Sequence, residues 1–188
     1  IGRSTSRAEH YGKTYTFHLN NNMCFSNGDK LDADDVAWSI NQLKEKQYYN
    51  ANQVESLDKA EAVDADTVRL TLDAPDSNLL WYLTGRPGLV FDKNATYNAK
   101  TEAVGSGPYT VESFDSASKM VLKANAKYWG TAHKPATEHV VLKFITDDNA
   151  AVNALKGGDV DVLSPVNATL AKSLDASTYT VSAADGSD

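Results

Sequence analysis

Gly105-Ser106-Gly107-Pro108-Tyr109 opens the part of the sequence that decides the fold. Its glycines and proline predict a tight turn in which two chain segments approach closely, leading into a strand over Tyr109–Phe114. Met120–Ala124 alternates in character, which indicates a second strand. Asn125-Ala126-Lys127-Tyr128-Trp129-Gly130 follows and predicts a turn closed by two adjacent aromatic side chains. The stretch therefore predicts two strands framed by two turns.

Upstream, the sequence predicts a strand followed by a capped helix. Thr14–Leu19 alternates strictly between apolar and polar residues, as a half-buried strand does. Ser26–Asp29 contains Asn-Gly, a pair that favours a turn. Asp32 is placed to cap a helix that begins at Ala33 and ends near Lys46, with further acidic residues in its first turn.

A hairpin and a short helix are predicted next. Lys59–Val63 and Thr67–Leu72 are short strands joined by the polar turn Asp64–Asp66. Asn78–Gly85 carries a short leucine-rich helix closed by its glycine. Asp92–Glu102 is polar and without periodicity, so we expect a subdomain boundary there.

Beyond this boundary, strands alternate with helices. The predicted elements after the second strand are a strand Glu138–Ile145, a helix Asp148–Lys156 capped by Asp147 and ended by Gly157-Gly158, a strand Val160–Leu163, a helix from Pro165 to about Leu174, and a strand Tyr179–Ser182. This order predicts a mixed α/β unit with at least one right-handed crossover.

Composition limits the partners of this chain. Its 188 residues can bury one good core or two small ones. The net charge of −7 repels a phosphate backbone and excludes nucleic acid as a partner. The longest apolar runs are far shorter than the ~20 residues of a membrane helix. Ile1–His10 is polar and lacks the features of a signal peptide, so we expect the sequence to begin within a mature protein.

The sequence carries no recognisable catalytic, metal or cofactor motif. Gly105-Ser106-Gly107 is followed by Pro108 and a strand rather than by the Gly-Lys-Ser/Thr of a phosphate loop, and it does not form a serine-nucleophile elbow. Neighbouring carboxylates such as Asp34 with Asp35 have sufficient roles as caps and turns. The four histidines lack metal-ligand spacing, and the single Cys24 is expected to act as a small hydrophobe.

Aromatic residues near loops are candidates for ligand contact. Tyr48 and Tyr49 follow the long helix, where they could cover an apolar ligand surface. Trp81 shares a predicted helix with three leucines, so we expect it to pack instead.

Seven blocks of this sequence resemble the family 5 extracellular solute-binding proteins of the oligopeptide and dipeptide type, in the same order and at the same spacing. They are Tyr15–Leu19, Phe25–Gly28, Asp35–Ile40, Ala62–Val68, Gly105–Tyr109, Asn125–Gly130 and Ala154–Val162. The resemblance covers about Tyr11 to Ser182. Asn27, Asn20–Asn22 and Cys24 depart from the usual pattern without affecting the expected fold.

The resemblance implies an α/β fold: the mixed-sheet part of a type II-like periplasmic-binding-protein lobe with an appended hairpin-rich α+β subdomain. Residues 1–102 would form the hairpin-rich subdomain, residues 103–182 the cleft-lining α/β subdomain of lobe one, and residues 183–188 a tail near the hinge. Family members are more than twice as long, so the second lobe would be missing from this chain.

The resemblance also implies a function. The parent protein would capture peptides or similar small solutes for the membrane permease subunits of an ABC importer, without acting as an enzyme and without a cofactor. It would work outside the cytoplasm, in the periplasm or as a cell-surface lipoprotein. Solute-binding proteins for nickel, haem or sugar share these motifs and stay as alternatives. A surface adhesion module and a carboxylate-dependent hydrolase are alternatives of another class.

Leu163, Ser164 and Pro165 are the expected cleft residues. They end a predicted strand just before a helix, which is where open α/β sheets place ligand sites. By resemblance, the position of Ser164 is one at which relatives turn a side chain toward the ligand. A short hydroxyl there would leave room for a larger or adaptable solute.

Overall fold

The computed structural model describes residues 12–20 and 22–182. The strands are β1 Thr14–His18, β2 Leu57–Asp64, β3 Thr67–Leu72, β4 Tyr109–Asp115, β5 Lys119–Ala124 and β6 His139–Lys143. The α-helices are α1 Ala33–Glu45, α2 Leu79–Tyr82, α3 Asp148–Lys156 and α4 Ala168–Ala171, and 3₁₀ turns cover Ala51–Val54, Arg86–Gly88 and Thr131–His133. The expectations for Ile1–His10 and for the tail at 183–188 lie outside the described residues.

The described residues fall into two compact units. The larger unit comprises the described residues up to Asp115 together with Met120–Val141. The smaller unit comprises Ser116–Lys119 and the described residues from Leu142 onward. This division does not follow the polar segment Asp92–Glu102. The predicted subdomains of residues 1–102 and 103–182 therefore stay a prediction.

The core of the larger unit lies between α1 and a three-stranded antiparallel sheet of order β1-β3-β2. The alternation in β1 buries Tyr15 and Phe17, and β3 buries Val68 and Leu70 on the same face. The fully buried large side chains are Phe25, Leu31, Val54, Leu57, Val68, Leu70 and Leu79. Each such side chain contributes about 1.5–3 kcal/mol through burial.

The start of α1 is fixed by a capping box. The Asp32 side chain accepts hydrogen bonds from the amides of Asp34 and Asp35, and the Asp35 carboxylate accepts one from the Asp32 amide. These bonds satisfy donors that a helix N-terminus leaves unpaired. The predicted helix and its cap are confirmed, and α1 buries Val36, Ile40 and Leu43.

A second three-stranded sheet has the order β4-β5-β6, which is also the order along the chain. The amide of Asn125 donates to the carbonyl of Pro108, and the amide of Ala124 donates to the carbonyl of Glu138. The three predicted strands are confirmed, as is helix α3 with its Asp147 cap. Gly157 ends α3, and Gly158 follows with a left-handed backbone at φ 78°.

Three predictions for the C-terminal part are wrong. Val160–Leu163 and Tyr179–Ser182 form no strand, because no neighbouring strand among the described residues pairs with them. The last helix begins at Ala168 rather than Pro165, because the side chain of Asn167 caps it by accepting from the Leu170 amide. The expected right-handed crossover is therefore absent from the described sheets.

Candidate functional site

The turn at Gly105–Pro108 is held by the motif Asn125–Gly130. The buried Asn125 side chain donates to the carbonyl of Gly107 at 3.0 Å, and the indole of Trp129 donates to the carbonyl of Ser106 at 3.0 Å. The amide of Ser26 donates to the carbonyl of Gly105 at 2.8 Å. These bonds pair the turn carbonyls with donors of this unit, so the two motifs form one structural junction.

The expected reason for the glycines of this turn is wrong. A Cβ atom placed on Gly105 or Gly107 would meet nothing within 4 Å, so neither glycine permits a close approach. Gly28 does have a local requirement, because its φ of +103° is left-handed and a Cβ there would lie 2.6 Å from Nζ of Lys127.

A second set of bonds fastens the Ser26–Asp29 turn to the same unit. Asn27 donates to Asp92 at 2.8 Å, while Lys127 Nζ donates to the carbonyl of Asn27 at 2.7 Å. Burial raises the pKa of Asp92, but hydrogen bonds from Asn27 and from the Asn94 amide outweigh it, and the pKa lies below its usual value. Asp92 is thus held as a carboxylate that joins its own loop to the Ser26–Asp29 turn.

Helix α1 binds the segment that contains Asp92. The Ser39 hydroxyl accepts from the amide of Phe91, and Asp35 accepts from the amide of Lys93 at 3.3 Å. Burial raises the pKa of Asp35, and the amides of Asp32 and Lys93 offset this in part. The blocks that identify the chain therefore act as scaffold in the larger unit.

The predicted cleft residues lie in the smaller unit. Ser164 and Pro165 are exposed and Leu163 is half-buried, within a loop in which Val162 is 80% exposed. Lys143 Nζ donates to the carbonyl of Asp159 at 2.7 Å before the loop. After it, the Asn167 amide donates to Asp148 at 2.8 Å.

Between these two anchors, the loop backbone finds no partner in the part of the chain that the structure describes. Within the described residues, Val160–Val166 forms no backbone hydrogen bond. Exposed amide and carbonyl groups in a loop held at both ends can pair with the main chain of a ligand.

Tyr48 and Tyr49, candidates for ligand contact, are exposed in the larger unit at 57% and 74%. They lie between Gln47 and Asn50, two non-glycine residues with left-handed backbone at φ 51° and 70°. Arg86 stacks over the Tyr49 ring, with its guanidinium carbon 4.7 Å from the ring centre. These tyrosines belong to the larger unit and the cleft loop belongs to the smaller one.

Trp81 was expected to pack but is 70% exposed. Helix α2 is only four residues long, too short for an apolar stripe, and Leu79 alone is fully buried from it. The helix predicted within Asn78–Gly85 is longer than α2, and this overestimate explains why Trp81 was expected to be buried.

Among the described residues, membrane-spanning helices and metal-binding clusters are absent. No helix there is long and apolar enough to cross a membrane. In the same residues, no group of three or more histidine, cysteine, aspartate or glutamate side chains could hold a metal ion. Cys24 is a free, half-buried thiol that donates to the carbonyl of Lys127 at 3.1 Å.

Residues 5–187 match the family described as bacterial extracellular solute-binding proteins, family 5 middle. The chain belongs to this family. Protein XP55 of Streptomyces lividans is 32% identical over 82% of this chain. The nickel-binding periplasmic protein and the dipeptide-binding protein of Escherichia coli are each 27% identical over 81% of it.

Solved structures with this fold are type II periplasmic binding proteins. MoaA of A. tumefaciens R10, in complex with mannopinic acid, has a TM-score of 0.76 at 28% identity over 84% of this chain and 33% of its own. NikA of Staphylococcus aureus, in complex with Ni(L-His)2, has a TM-score of 0.73 over 83% of this chain and 33% of its own, and at 22% identity it supports the fold alone.

The chain spans about a third of the length of the relatives that it matches. It covers 29% of Protein XP55, 30% of the nickel-binding protein and 33% of the dipeptide-binding protein. The mixed α/β fold described above is therefore part of a larger family fold.

Proposed function

We propose that the protein containing this chain captures a peptide or similar small solute outside the cytoplasm and delivers it to the permease of an ABC importer. It would do so by binding and release, without breaking a bond. The family match over residues 5–187 supports this function, and so do relatives named for dipeptide and oligopeptide binding. Retention in the periplasm or on the cell surface through a lipid anchor is part of the same proposal.

One observation carries the choice of peptide. The loop Val160–Val166 presents backbone amides and carbonyls that no described residue pairs, and a peptide main chain offers the complementary donors and acceptors. We propose that Leu163, Ser164 and Pro165 contact the solute and that the second lobe, outside this chain, completes the enclosure. Tyr48 and Tyr49, in the larger unit, are proposed on their own as apolar contacts for a ligand.

A nickel complex is the second candidate solute. The nickel-binding and dipeptide-binding relatives are equally similar to this chain, at 27% identity. The two candidates differ in chemistry, because a nickel complex needs a metal or its chelator held in the cleft and a peptide needs main-chain partners.

Calorimetry on the full-length protein separates the candidates. We expect a mixed tripeptide pool to bind and nickel with excess histidine to give no heat. Mass spectrometry of solute released from the freshly purified protein should then find peptides. Binding of the nickel complex alone would reverse the choice of solute, and release of neither class would overturn the proposal.

The role of Ser164 has its own test. Ser164→Leu should weaken tripeptide binding by about tenfold, because it fills the room left by the hydroxyl, and unfolding should be unchanged because the position is exposed. Ser182→Leu, exposed in the same unit, is the matched control. Equal affinity of both variants and the unmodified protein would remove Ser164 from the site.

A further inference from the structure

The larger unit has a groove that the family motifs do not explain. Its volume is about 450 Å³, and its walls come from the 3₁₀ turn Ala51–Val54 and from the segment that carries Asp76 and Tyr82. Both walls are fixed from below, because Val54 and Leu79 are fully buried in the core. The groove is thus a shallow, open depression whose two sides are anchored in the core.

One wall presents planar polar side chains that are free to bind. Asn52, Gln53 and Glu55 line the groove, and no described residue hydrogen-bonds to their side chains. An amide offers both donors and an acceptor, and a carboxylate offers two acceptor oxygens. Together they can bind a ligand that presents several hydroxyl groups.

The other wall is more rigid. The Asp76 carboxylate accepts from the Ser56 hydroxyl at 3.0 Å and from the Asn78 amide at 2.9 Å, and the Asp76 carbonyl accepts from the Tyr15 hydroxyl at 3.2 Å. Tyr82 lines the groove beside this wall. An aromatic ring face can stack on an apolar C–H face of a ligand.

Charge narrows the class of ligand. No lysine or arginine is among the described residues that line the groove, whereas Glu55 and Asp76 are, so an anionic ligand would be repelled. Asp76 is already engaged by two donors, which leaves the exposed Glu55 as the free carboxylate. A single exposed carboxylate holds a cation only weakly.

Two exposed aromatic residues, Tyr49 and Trp81, lie close along the chain to the segments that form the groove but are not among its lining residues. Tyr49 immediately precedes Asn50, the left-handed residue that starts the 3₁₀ turn, and Trp81 precedes Tyr82 in α2. At 70% exposed, Trp81 has an aromatic surface that no core contact uses. Non-glycine residues in a left-handed conformation concentrate at sites where structure serves function.

From these contacts we propose that the groove binds a neutral carbohydrate unit. Asn52, Gln53 and Glu55 hydrogen-bond to its hydroxyls, and Tyr82 stacks on its C–H face. This site is additional to the solute site at Leu163–Pro165, uses different residues and does not depend on transport.

Titration of the isotope-labelled 188-residue chain, followed by amide NMR, tests the proposal. The probes are maltotriose and triacetylchitotriose, with spermidine as the cationic comparison. At least one trisaccharide should shift the amides of Asn52, Gln53 and Tyr82 and approach saturation at millimolar concentration, as expected of an open groove. Spermidine should not shift them.

Variants separate the groove from other surfaces. Asn52→Ala should weaken trisaccharide binding about fivefold through loss of hydrogen bonds, and Tyr82→Ala should weaken it further. Asn94→Ala changes an exposed asparagine of the same unit and should leave the affinity unchanged. Because Tyr82 is half-buried, the exposed Asn52 provides the test if Tyr82→Ala fails to fold.

Three results would overturn the proposal. The first is the absence of shifts with either trisaccharide at up to about 20 mM. The second is binding of spermidine alone at these residues, which would mark a cation site. The third is trisaccharide binding that Asn52→Ala leaves unchanged.

Discussion

Substitution of Asn125 by alanine tests whether the family motifs act as scaffold. The Asn125 side chain is buried, at 8% exposed. Its Nδ2 donates to the carbonyl of Gly107, and its Oδ1 accepts from the backbone amide of Lys127 at 3.0 Å. The substitution removes both bonds and leaves their partners without the donor and acceptor that they have in the native fold. The turn before β4 would then lose its attachment to the turn after β5.

The magnitude follows from these two bonds. Each contributes about 1 kcal/mol net, and each abandoned partner adds up to about 1 kcal/mol if water does not replace the lost bond. Asn125→Ala should therefore lower the free energy of unfolding by about 2–4 kcal/mol. With a urea dependence of about 2 kcal/mol per molar, the midpoint should fall by roughly 1–2 M.

Urea unfolding of the 188-residue chain, followed by circular dichroism, measures the effect. Asn98→Ala is the matched control, because exposed Asn98 accepts from the Lys100 amide in the same kind of turn but makes no tertiary bond from its side chain. It should cost less than about 0.5 kcal/mol. If Asn125→Ala and Asn98→Ala lower the free energy of unfolding equally, local turn geometry accounts for both losses. That result would refute the claim that Asn125 stabilises the fold by joining two turns.

Three further predictions concern pH, helix capping and affinity. The Asp92 pKa is lowered in the folded state, so the stability that its carboxylate contributes is present above the unfolded pKa of 3.8 and is lost as pH falls through the folded pKa. Urea unfolding at several pH values should therefore show that the stability difference between the unmodified chain and Asp92→Asn shrinks below pH 4. A difference that stays constant with pH would contradict this prediction. Asp32→Ala should cost about 1–2 kcal/mol in thermal or urea unfolding because it removes the cap of α1, whereas exposed Asp58→Ala should cost less than about 0.5 kcal/mol. The 188-residue chain alone should bind a tripeptide pool only weakly in calorimetry, since a half-site loses enclosure, and sub-micromolar binding would show that the second lobe is not needed.

Local signals predicted most of the elements. The alternation in Thr14–Leu19, the cap at Asp32 and the turn at Asp64–Asp66 each depend on neighbours in sequence, and each was confirmed. The family blocks also placed the chain correctly, because their order and spacing are specific where a single block is not.

Elements that depend on distant partners were predicted less well. Val160–Leu163 has the composition of a strand, but a strand needs a neighbour for its amides and carbonyls, and the described residues supply none. The bonds from Asn27 to Asp92 and from Asn125 to Gly107 join positions 65 and 18 residues apart, and no local rule indicates them. The sequence therefore marked Gly107 and Asn125 as parts of identifying blocks without revealing that they bind each other.

The candidate site was only partly accessible to sequence reasoning. Tyr48, Tyr49 and Ser164 were chosen as candidate contact residues from their positions in or beside loops, and all three are exposed. The left-handed conformations around the tyrosines and the exposure of Trp81 arise from how short elements pack, which hydrophobic periodicity does not encode.

Hydrogen–deuterium exchange on the full-length protein, with and without a tripeptide pool, tests the central claim most directly. If Val160–Val166 pairs with the solute main chain, exchange of its amides should slow on binding, while helix α1, as part of the scaffold, should exchange at the same rate in both states. Calorimetric binding of tripeptides without protection of Val160–Val166 would contradict the claim that this loop contacts the solute.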